Sequence, residues 1–120
     1  MLDDQLNVFL GDFGLAVKLA IGPSACHKGR AGTPCYYPFE MVNNMEYDYR
    51  ADVWCLGVLL VEMLFGVLPF KCAQGSRDYS ASISSLKYSL PTNKATPVSK
   101  PAKDLIKAML VPQIKRLTLA

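Results

Sequence analysis

The most strongly patterned part of the chain is an apolar run that extends from Asp52 to Phe65. Asp is favoured at helix N-termini and Gly just beyond C-termini, so Asp52 and Gly66 predict a helix between them. Glu62 is the only charged residue inside the run, and a helix without a polar face has to be covered on all sides. At about 1.5 Å per residue it spans ~20 Å, less than the ~30 Å hydrocarbon core, which favours a buried helix over a membrane span.

A second helix is predicted from Pro101 to Val111, with Ser99 as its N-cap. One buried face is indicated by apolar residues at helical spacing: Ala102, Leu105, Ile106, Met109 and Leu110. A weaker helix is predicted over residues 79–86, a short strand over 7–10, and a long surface loop over 15–31. The predicted fold class is mainly α, in one domain without repeats.

Composition and charge narrow the function classes. The chain has 120 residues, is 51% hydrophobic and 19% charged, and carries a net charge of +3, which is typical of a globular domain. Its basic residues are scattered except near the C-terminus, where Lys100, Lys103 and Lys107 have the spacing of a solvated helix face. We therefore expect neither nucleic-acid binding nor membrane binding.

The four cysteines, at positions 26, 35, 55 and 72, contain no C-x-x-C pair. They are therefore predicted to be free thiols in a reducing compartment, and neither a zinc site nor a redox motif is indicated. Met1 to Gln5 lack the basic start and apolar core of a secretion signal. A cytoplasmic or nuclear location is expected.

Several short motifs occur in a fixed order along the chain. They are Gly11-Asp12-Phe13-Gly14, Gly32-Thr33-Pro34-Cys35-Tyr36, Phe39-Glu40, Asp52-Val53-Trp54-Cys55-Leu56-Gly57, Gly66-Val67-Leu68-Pro69-Phe70 and Arg116-Leu117-Thr118. An isolated Asp-Phe-Gly turn has little specificity, but the ordered set resembles the C-terminal lobe of eukaryotic protein kinases. The resemblance covers nearly the whole chain, from about Leu2 to Leu119.

This resemblance implies roles for the first two motifs. Asp12 would hold Mg²⁺ on the phosphates of ATP, and Phe13 and Gly14 would border the nucleotide. Thr33 and Tyr36 would belong to the loop that binds the protein substrate. ATP, Mg²⁺ and protein substrates or regulators are thus the cofactors and partners that the resemblance implies, although binding of ATP and Mg²⁺ by this chain alone is not expected.

The remaining motif residues are expected to be structural. Glu40 matches the glutamate of the family's Ala-Pro-Glu motif, and Arg116 matches its arginine partner, so the two are predicted to form a buried ion pair. Asp52 resembles the aspartate that supports the catalytic loop through backbone N–H groups. The resemblance divides a partial kinase domain, residues 1–120, into an activation segment at about 12–40 and helices at 41–120.

The detailed resemblance is to polo-like and Aurora-type serine/threonine kinases. The residues that carry it are Phe13-Gly14-Leu15-Ala16, Gly32-Thr33-Pro34, Tyr88-Ser89-Leu90-Pro91 and Ala102-Lys103-Asp104-Leu105-Ile106. Glu40-Met41-Val42 with Tyr47-Asp48 favours the Aurora type, whereas Gly11 favours the polo-like type. The two alternatives stay open.

Departures from the family pattern bear on activity. The activating threonine of these families would fall on Gly29, and only Ser24 offers a hydroxyl between Leu15 and Gly32. Pro38-Phe39 replaces the Ala-Pro of the Ala-Pro-Glu motif. Ordering of this loop by a phosphate is therefore not expected.

The sequence also contains no Gly-rich phosphate loop, no ATP-contacting lysine and no His-Arg-Asp catalytic loop, so no catalytic base is assigned. Two hypotheses follow. The chain is part of an ATP-dependent serine/threonine kinase that is inactive as 120 isolated residues, or it is a pseudokinase-like module that binds proteins without catalysis. A decayed gene copy is a third alternative.

Overall fold

The computed structural model describes residues 1–19, 26–70, 77–91 and 97–118. Within these ranges the fold consists of helices α1 (Phe39–Val42), α2 (Arg50–Phe65), α3 (Arg77–Ser85) and α4 (Lys100–Met109). Short 3-10 turns occur at Phe13–Leu15, Pro34–Tyr36 and Gln113–Lys115. The mainly helical fold predicted from the sequence is confirmed.

Helix α2 begins two residues before the predicted start. Tyr49 takes the N-cap position, so Asp52 lies in the first turn and the prediction of Asp52 as the N-cap was wrong. The predicted end is confirmed, because Gly66 has a left-handed backbone (φ 69°) and its N–H donates to the Glu62 carbonyl. A residue without a Cβ adopts that conformation at little cost.

Helix α4 confirms Ser99 as its N-cap, because the Ser99 side chain accepts a hydrogen bond from the Ala102 N–H. The helix ends at Met109, two residues before the predicted end. Ile106, Met109 and Leu110 are buried, but Leu105 is 44% exposed. Its place in the predicted buried face was wrong, because α4 contacts the rest of the protein over a narrower face than its apolar spacing indicates.

The core forms where α2, α3 and α4 meet. Gly57 allows α2 and α4 to come together, since a Cβ at this position would lie only 2.9 Å from the Met109 Cβ. Trp54 stacks on Phe70 with ring centroids 5.4 Å apart. The buried residues of this cluster are Val42, Trp54, Val58, Val61, Phe70, Tyr79, Ile83, Ile106 and Leu110.

Helix α2 is covered on one side only. Leu56 and Leu59 are 51% and 41% exposed, and Met63 is 74% exposed. These three residues are spaced by three and four positions, so they lie on one face of the helix. An apolar face is therefore left open to solvent by the part of the chain that the structure describes.

The N-terminal segment has no strand within residues 1–19. The strand predicted for residues 7–10 is reduced to an isolated antiparallel bridge between Leu2 and Val8. The Asp3 carboxylate accepts hydrogen bonds from Asn7, through its side chain and its backbone N–H, and from the Gln5 N–H. Strands need partners, and this segment bonds mainly to itself.

The described ranges also test the predicted free cysteines. Cys26 and Cys55 are free thiols, but Cys35 is disulfide-bonded, so the prediction of four free cysteines was wrong. Spacing alone cannot show which residues come together in a fold. None of the described helices has both the length and the apolar character needed to cross a bilayer. Ser24 and Cys72 lie outside the described residues.

Candidate functional site

The Asp-Phe-Gly segment lies at the surface. Asp12 has a left-handed backbone (φ 60°, ψ 67°) and directly precedes the 3-10 turn at Phe13–Leu15. This conformation is uncommon for a residue other than glycine, but Asp tolerates it better than most. Asp12 and Gly14 are exposed, as is Phe13 at 65%. The turn thus presents a carboxylate on a sharp bend of the chain.

An open pocket of about 430 Å³ brings several of the predicted residues together. It lies between the Asp-Phe-Gly segment and the start of α2, and its lining includes Asp12, Phe13, Gly32, Asp52 and Cys55. Burial raises the pKa of the Cys55 thiol to about 11, so this residue is neutral at physiological pH. The pocket wall therefore combines three carboxylates, Asp12, Asp48 and Asp52, with apolar and neutral groups.

Asp12 is the residue that would hold a metal ion, and its setting fits magnesium. Mg²⁺ keeps several waters and takes one or two protein carboxylates together with phosphate oxygens. A single exposed carboxylate at the edge of an open pocket leaves room for those other ligands. No group of three or more His, Cys, Asp or Glu side chains within the described ranges is placed to enclose a metal ion by itself.

The predicted substrate loop is attached to α2. The Tyr36 hydroxyl donates a hydrogen bond to Glu62 Oε2, and the Cys55 thiol contacts the Tyr36 carbonyl at 3.4 Å. The hydrogen bond to Glu62 raises the pKa of Tyr36, and partial burial adds to the shift. Thr33 lies at the start of the Pro34–Tyr36 turn, and its side chain does not cap that turn. The position of Tyr36 is thus set by its contacts with Glu62 and Cys55 of α2.

Sequence reasoning did not identify these anchors. Glu62 was recognised only as a lone charge in an apolar helix, and Cys55 only as a free thiol. Such a carboxylate needs a hydrogen-bond donor, which is the signal that could have pointed to a partner. Which donor supplies it depends on the fold, because Tyr36 and Glu62 are 26 positions apart.

The predicted ion pair between Glu40 and Arg116 is present. Two hydrogen bonds of 2.5 and 2.9 Å join the Arg116 guanidinium to the Glu40 carboxylate, and both side chains are almost fully buried. Arg116 also donates to the carbonyls of Val111 and Arg50 and lies over the Trp54 ring at 5.0 Å. The ion pair fastens the end of the substrate loop to α2 and to the C-terminal segment.

Asp52 lies in the first turn of α2 and does not cap the helix. Its side chain is exposed at the pocket and has no hydrogen-bond partner among the described residues. The pocket is therefore bordered by an exposed carboxylate at Asp52. This geometry leaves Asp52 able to accept hydrogen bonds from backbone N–H groups of a further segment.

A second charged pair, which the sequence did not indicate, lies beside the start of α2. The Arg50 guanidinium donates to both carboxylate oxygens of Asp48 at 2.7–3.0 Å, and its Nη1 donates to the Gln113 carbonyl at 3.0 Å. Burial raises the pKa of Asp48, but the hydrogen bonds and charge of Arg50 outweigh it, so the pKa lies below its ordinary value. The pair links the segment before α2 to the C-terminal turn.

Comparison with known proteins gives the family of these motifs. The family profile described as protein kinase domain matches residues 1–120. Serine/threonine-protein kinase PEPKR2 of Arabidopsis thaliana is 42% identical over 104 residues, which are 87% of this chain and 21% of that protein.

Two further relatives represent the kinase types that the sequence resembles. Aurora/IPL1-related protein kinase 2 of Caenorhabditis elegans is 36% identical over 111 residues, which are 92% of this chain and 34% of the relative. Serine/threonine-protein kinase plk-1 of the same organism is 34% identical over 115 residues, which are 96% of this chain and 17% of the relative. The identities do not separate the two types, and the chain spans between 17% and 34% of the length of these relatives. The chain belongs to the protein kinase family, and its mainly helical fold corresponds to the C-terminal lobe of a kinase domain.

Proposed function

We propose that this chain supplies the magnesium ligand and the substrate-binding loop of an ATP-dependent serine/threonine protein kinase. The observation that carries the proposal is the match of the protein kinase domain over residues 1–120, with Asp12 and Asp52 on one open pocket. Bound Mg²⁺ would neutralise charge on the ATP phosphates, and Asp12 would fix its position. Phe13 and Gly14 would border the nucleotide.

The substrate side of the proposal rests on the loop around Thr33 and Tyr36. The Tyr36 hydrogen bond to Glu62 and the Glu40–Arg116 ion pair hold the C-terminal side of this loop, at Tyr36 and just beyond it. A loop held in this way can position the segment of a protein substrate that flanks the phosphorylated residue. Its support is α2, which carries the buried core residues Trp54, Val58 and Val61.

We further propose that the 120 residues alone do not transfer phosphate. Phosphoryl transfer depends on positioning and charge neutralisation, and the sequence has no His-Arg-Asp loop or ATP-contacting lysine to provide them. A general base alone contributes a factor of about 10²–10⁴ in rate. The described residues leave the face of α2 at Leu56, Leu59 and Met63 uncovered, which agrees with a need for further structure against this helix.

A chimeric kinase tests the proposal. The chain would be joined behind the nucleotide-binding lobe and catalytic loop of a related serine/threonine kinase, and transfer from labelled ATP to a serine- and threonine-containing peptide library would be measured. We expect transfer by the chimera and none by the isolated chain. The Asp12→Asn chimera should lose at least 100-fold in kcat, because the metal ligand loses its charge.

Asp4→Asn is the matched control, since Asp4 is also an exposed N-terminal carboxylate but lies away from the pocket lining. This variant should retain full activity. An active chimera in which Asp12→Asn and Asp4→Asn behave alike would contradict the role proposed for Asp12.

The alternative function is a pseudokinase-like module that binds proteins without catalysis. It is favoured by Gly29, whose φ of 131° is strained for other residues and which occupies the position expected for the activating threonine. Pro38-Phe39 in place of Ala-Pro is a second departure. A folded chimera that binds ATP and a substrate peptide but transfers no phosphate would favour this alternative over a kinase.

A further inference from the structure

The segment from Cys26 to Gly32 is held to the rest of the protein although it contains no Ser, Thr or Tyr that could carry a phosphate. Its first attachment is a backbone bridge between His27 and Tyr47. The His27 N–H donates to the Tyr47 carbonyl at 2.7 Å, and the Tyr47 N–H donates to the His27 carbonyl at 2.9 Å. The two rings also meet edge to face, with centroids 5.5 Å apart.

The second attachment is made by Arg30. Its Nη2 donates to the Val42 carbonyl at 2.8 Å, and its Nε donates to the Met41 carbonyl at 3.4 Å. These carbonyls lie at the C-terminal end of α1, where the last turn of a helix offers acceptors to groups outside the helix. The Met41 carbonyl also accepts from the Asn44 N–H at 3.2 Å. A basic side chain satisfies such carbonyls and interacts favourably with the negative end of the helix.

Helix α1 is a firm support for this contact. Glu40, Met41 and Val42 are all buried, and Glu40 is fixed by the ion pair with Arg116. Arg30 thus joins an otherwise exposed segment to a helix that the buried core holds in place. The Cys26 thiol adds a third contact of 3.2 Å to Glu46 Oε2.

Gly29 lies between the two attachments and lets the chain turn from one to the other. Its φ of 131° is a conformation that side-chain-bearing residues rarely adopt. A threonine at this position would be strained whatever space surrounds it. The backbone that Arg30 and His27 require is therefore poorly compatible with a phosphorylated threonine at position 29.

We propose that Arg30 anchors this segment to the C-terminal end of α1 and takes the place of an activating phosphate, so that the adjoining substrate loop is positioned without phosphorylation. The consequence for activity rests on the proposed kinase function, but the anchor itself does not. It is a property of contacts within the chain, and it can be measured without nucleotide or substrate.

Amide hydrogen exchange of the 120-residue chain tests the anchor. In the unmodified chain the amides of His27 and Tyr47 should be protected. In Arg30→Ala they should exchange at least tenfold faster, whereas the amide of Val58 in the middle of α2 should not change. Lys28→Ala is the matched control, because Lys28 is an exposed basic residue of the same segment, and it should leave all three amides unaltered.

Arg30→Gln is the second variant, since it keeps a long polar side chain but removes the charge. Faster exchange at His27 and Tyr47 alone in this variant would again support the anchor. Equal exchange in Arg30→Ala and Lys28→Ala would overturn it, as would unprotected His27 and Tyr47 amides in the unmodified chain. A loss of Val58 protection in both Arg30 variants would also overturn it, because Arg30 would then stabilise the whole fold.

The regulatory consequence is tested separately in the active chimera. Phosphatase treatment should leave its rate unchanged, whereas Arg30→Ala should lower it by tenfold or more. A tenfold loss after phosphatase treatment would overturn phosphate-independent positioning. An inactive chimera with a normal exchange result would contradict the proposed kinase function and leave the anchor supported.

Discussion

The N-terminal segment, residues 1–19, and the helical part around α2 differ in how they are held. No residue of the N-terminal segment is buried, and its contacts are surface hydrogen bonds such as those of Asp3 with Asn7. In α2, by contrast, Val53, Trp54 and Val58 are at most 1% exposed. The candidate magnesium ligand, Asp12, is in the weakly held segment, whereas Glu40 and Arg116 are in the firmly held part.

This difference separates residues that bind from residues that support. A residue that contacts a ligand has to be accessible to solvent, so it contributes little to folding stability. The two members of a buried ion pair contact each other and are not accessible to a ligand. Substitutions of exposed site residues in the N-terminal segment should therefore change activity more than stability. Substitutions of buried residues around α2 should lower the stability of the fold. The following predictions are ordered by the expected change in the free energy of unfolding, measured by urea denaturation with the fluorescence of Trp54, the single tryptophan.

The largest effect is expected for Arg116→Met, which removes one member of the buried ion pair. Glu40 would be left buried and unpaired, and the free energy of unfolding should fall by about 3–5 kcal/mol. The control is Asp104→Asn, which breaks the exposed Lys100–Asp104 pair and should cost less than ~1 kcal/mol. Similar losses in the free energy of unfolding for the two variants would contradict the expected difference between a buried and an exposed ion pair.

Ile106→Ala and Leu105→Ala compare neighbouring residues of α4. Ile106 is fully buried, so its truncation should lower the free energy of unfolding by about 2–5 kcal/mol through lost contacts and a cavity. Leu105 is 44% exposed and should cost less than ~1.5 kcal/mol. A larger loss for Leu105→Ala would mean that α4 is buried as the apolar spacing predicts and not as the structure has it.

The pH dependence of stability should reveal Cys55. Burial raises its pKa from 9.0 to about 11 in the folded chain, so it stays protonated while the unfolded chain ionises. Its contribution is therefore complete below pH 9 and is lost as the pH rises towards 11, a change of about 2–3 kcal/mol. Cys55→Ala should show a correspondingly shallower decline between pH 9 and pH 11, and an unchanged slope would contradict the buried thiol.

The smallest effect on stability is expected for Asp12→Asn. Asp12 is exposed, and Asn tolerates its left-handed backbone equally well, so the free energy of unfolding should change by less than ~0.5 kcal/mol. The same substitution is expected to lower the kcat of the chimera at least 100-fold. A loss of stability comparable to that of Arg116→Met would place Asp12 among the supporting residues.

The helices were largely predictable from the sequence, because their signals are local. The cap at Ser99, the glycine at position 66 and the apolar spacing of α4 each depend on a few neighbouring residues. The strand at residues 7–10 was not predictable in the same way, since a strand requires a partner that local pattern does not supply. The degree of burial of Leu105 was also outside the reach of periodicity, which gives a face but not its width.

The candidate site shows the same division. The ordered motifs indicated Asp12, Thr33, Glu40 and Arg116, and the Glu40–Arg116 contact followed from their resemblance to a known pair. No sequence motif indicated that Tyr36 bonds to Glu62 or that Arg30 contacts the end of α1. These contacts join residues whose types are common and whose proximity depends on the path of the chain.

The sequence by itself thus determined the helical class, the cap at Ser99, the end of α2 at Gly66 and the family, because each depends on residue types at fixed spacing. Only the tertiary structure decided that the described residues leave one face of α2 uncovered and that Asp52 is exposed at a pocket. It also decided that Arg30 reaches the carbonyls of Met41 and Val42. Those features arise from distances between residues far apart in the chain. Hydrogen bonds and burial act over a few ångströms in space, and spacing along the sequence does not specify those distances.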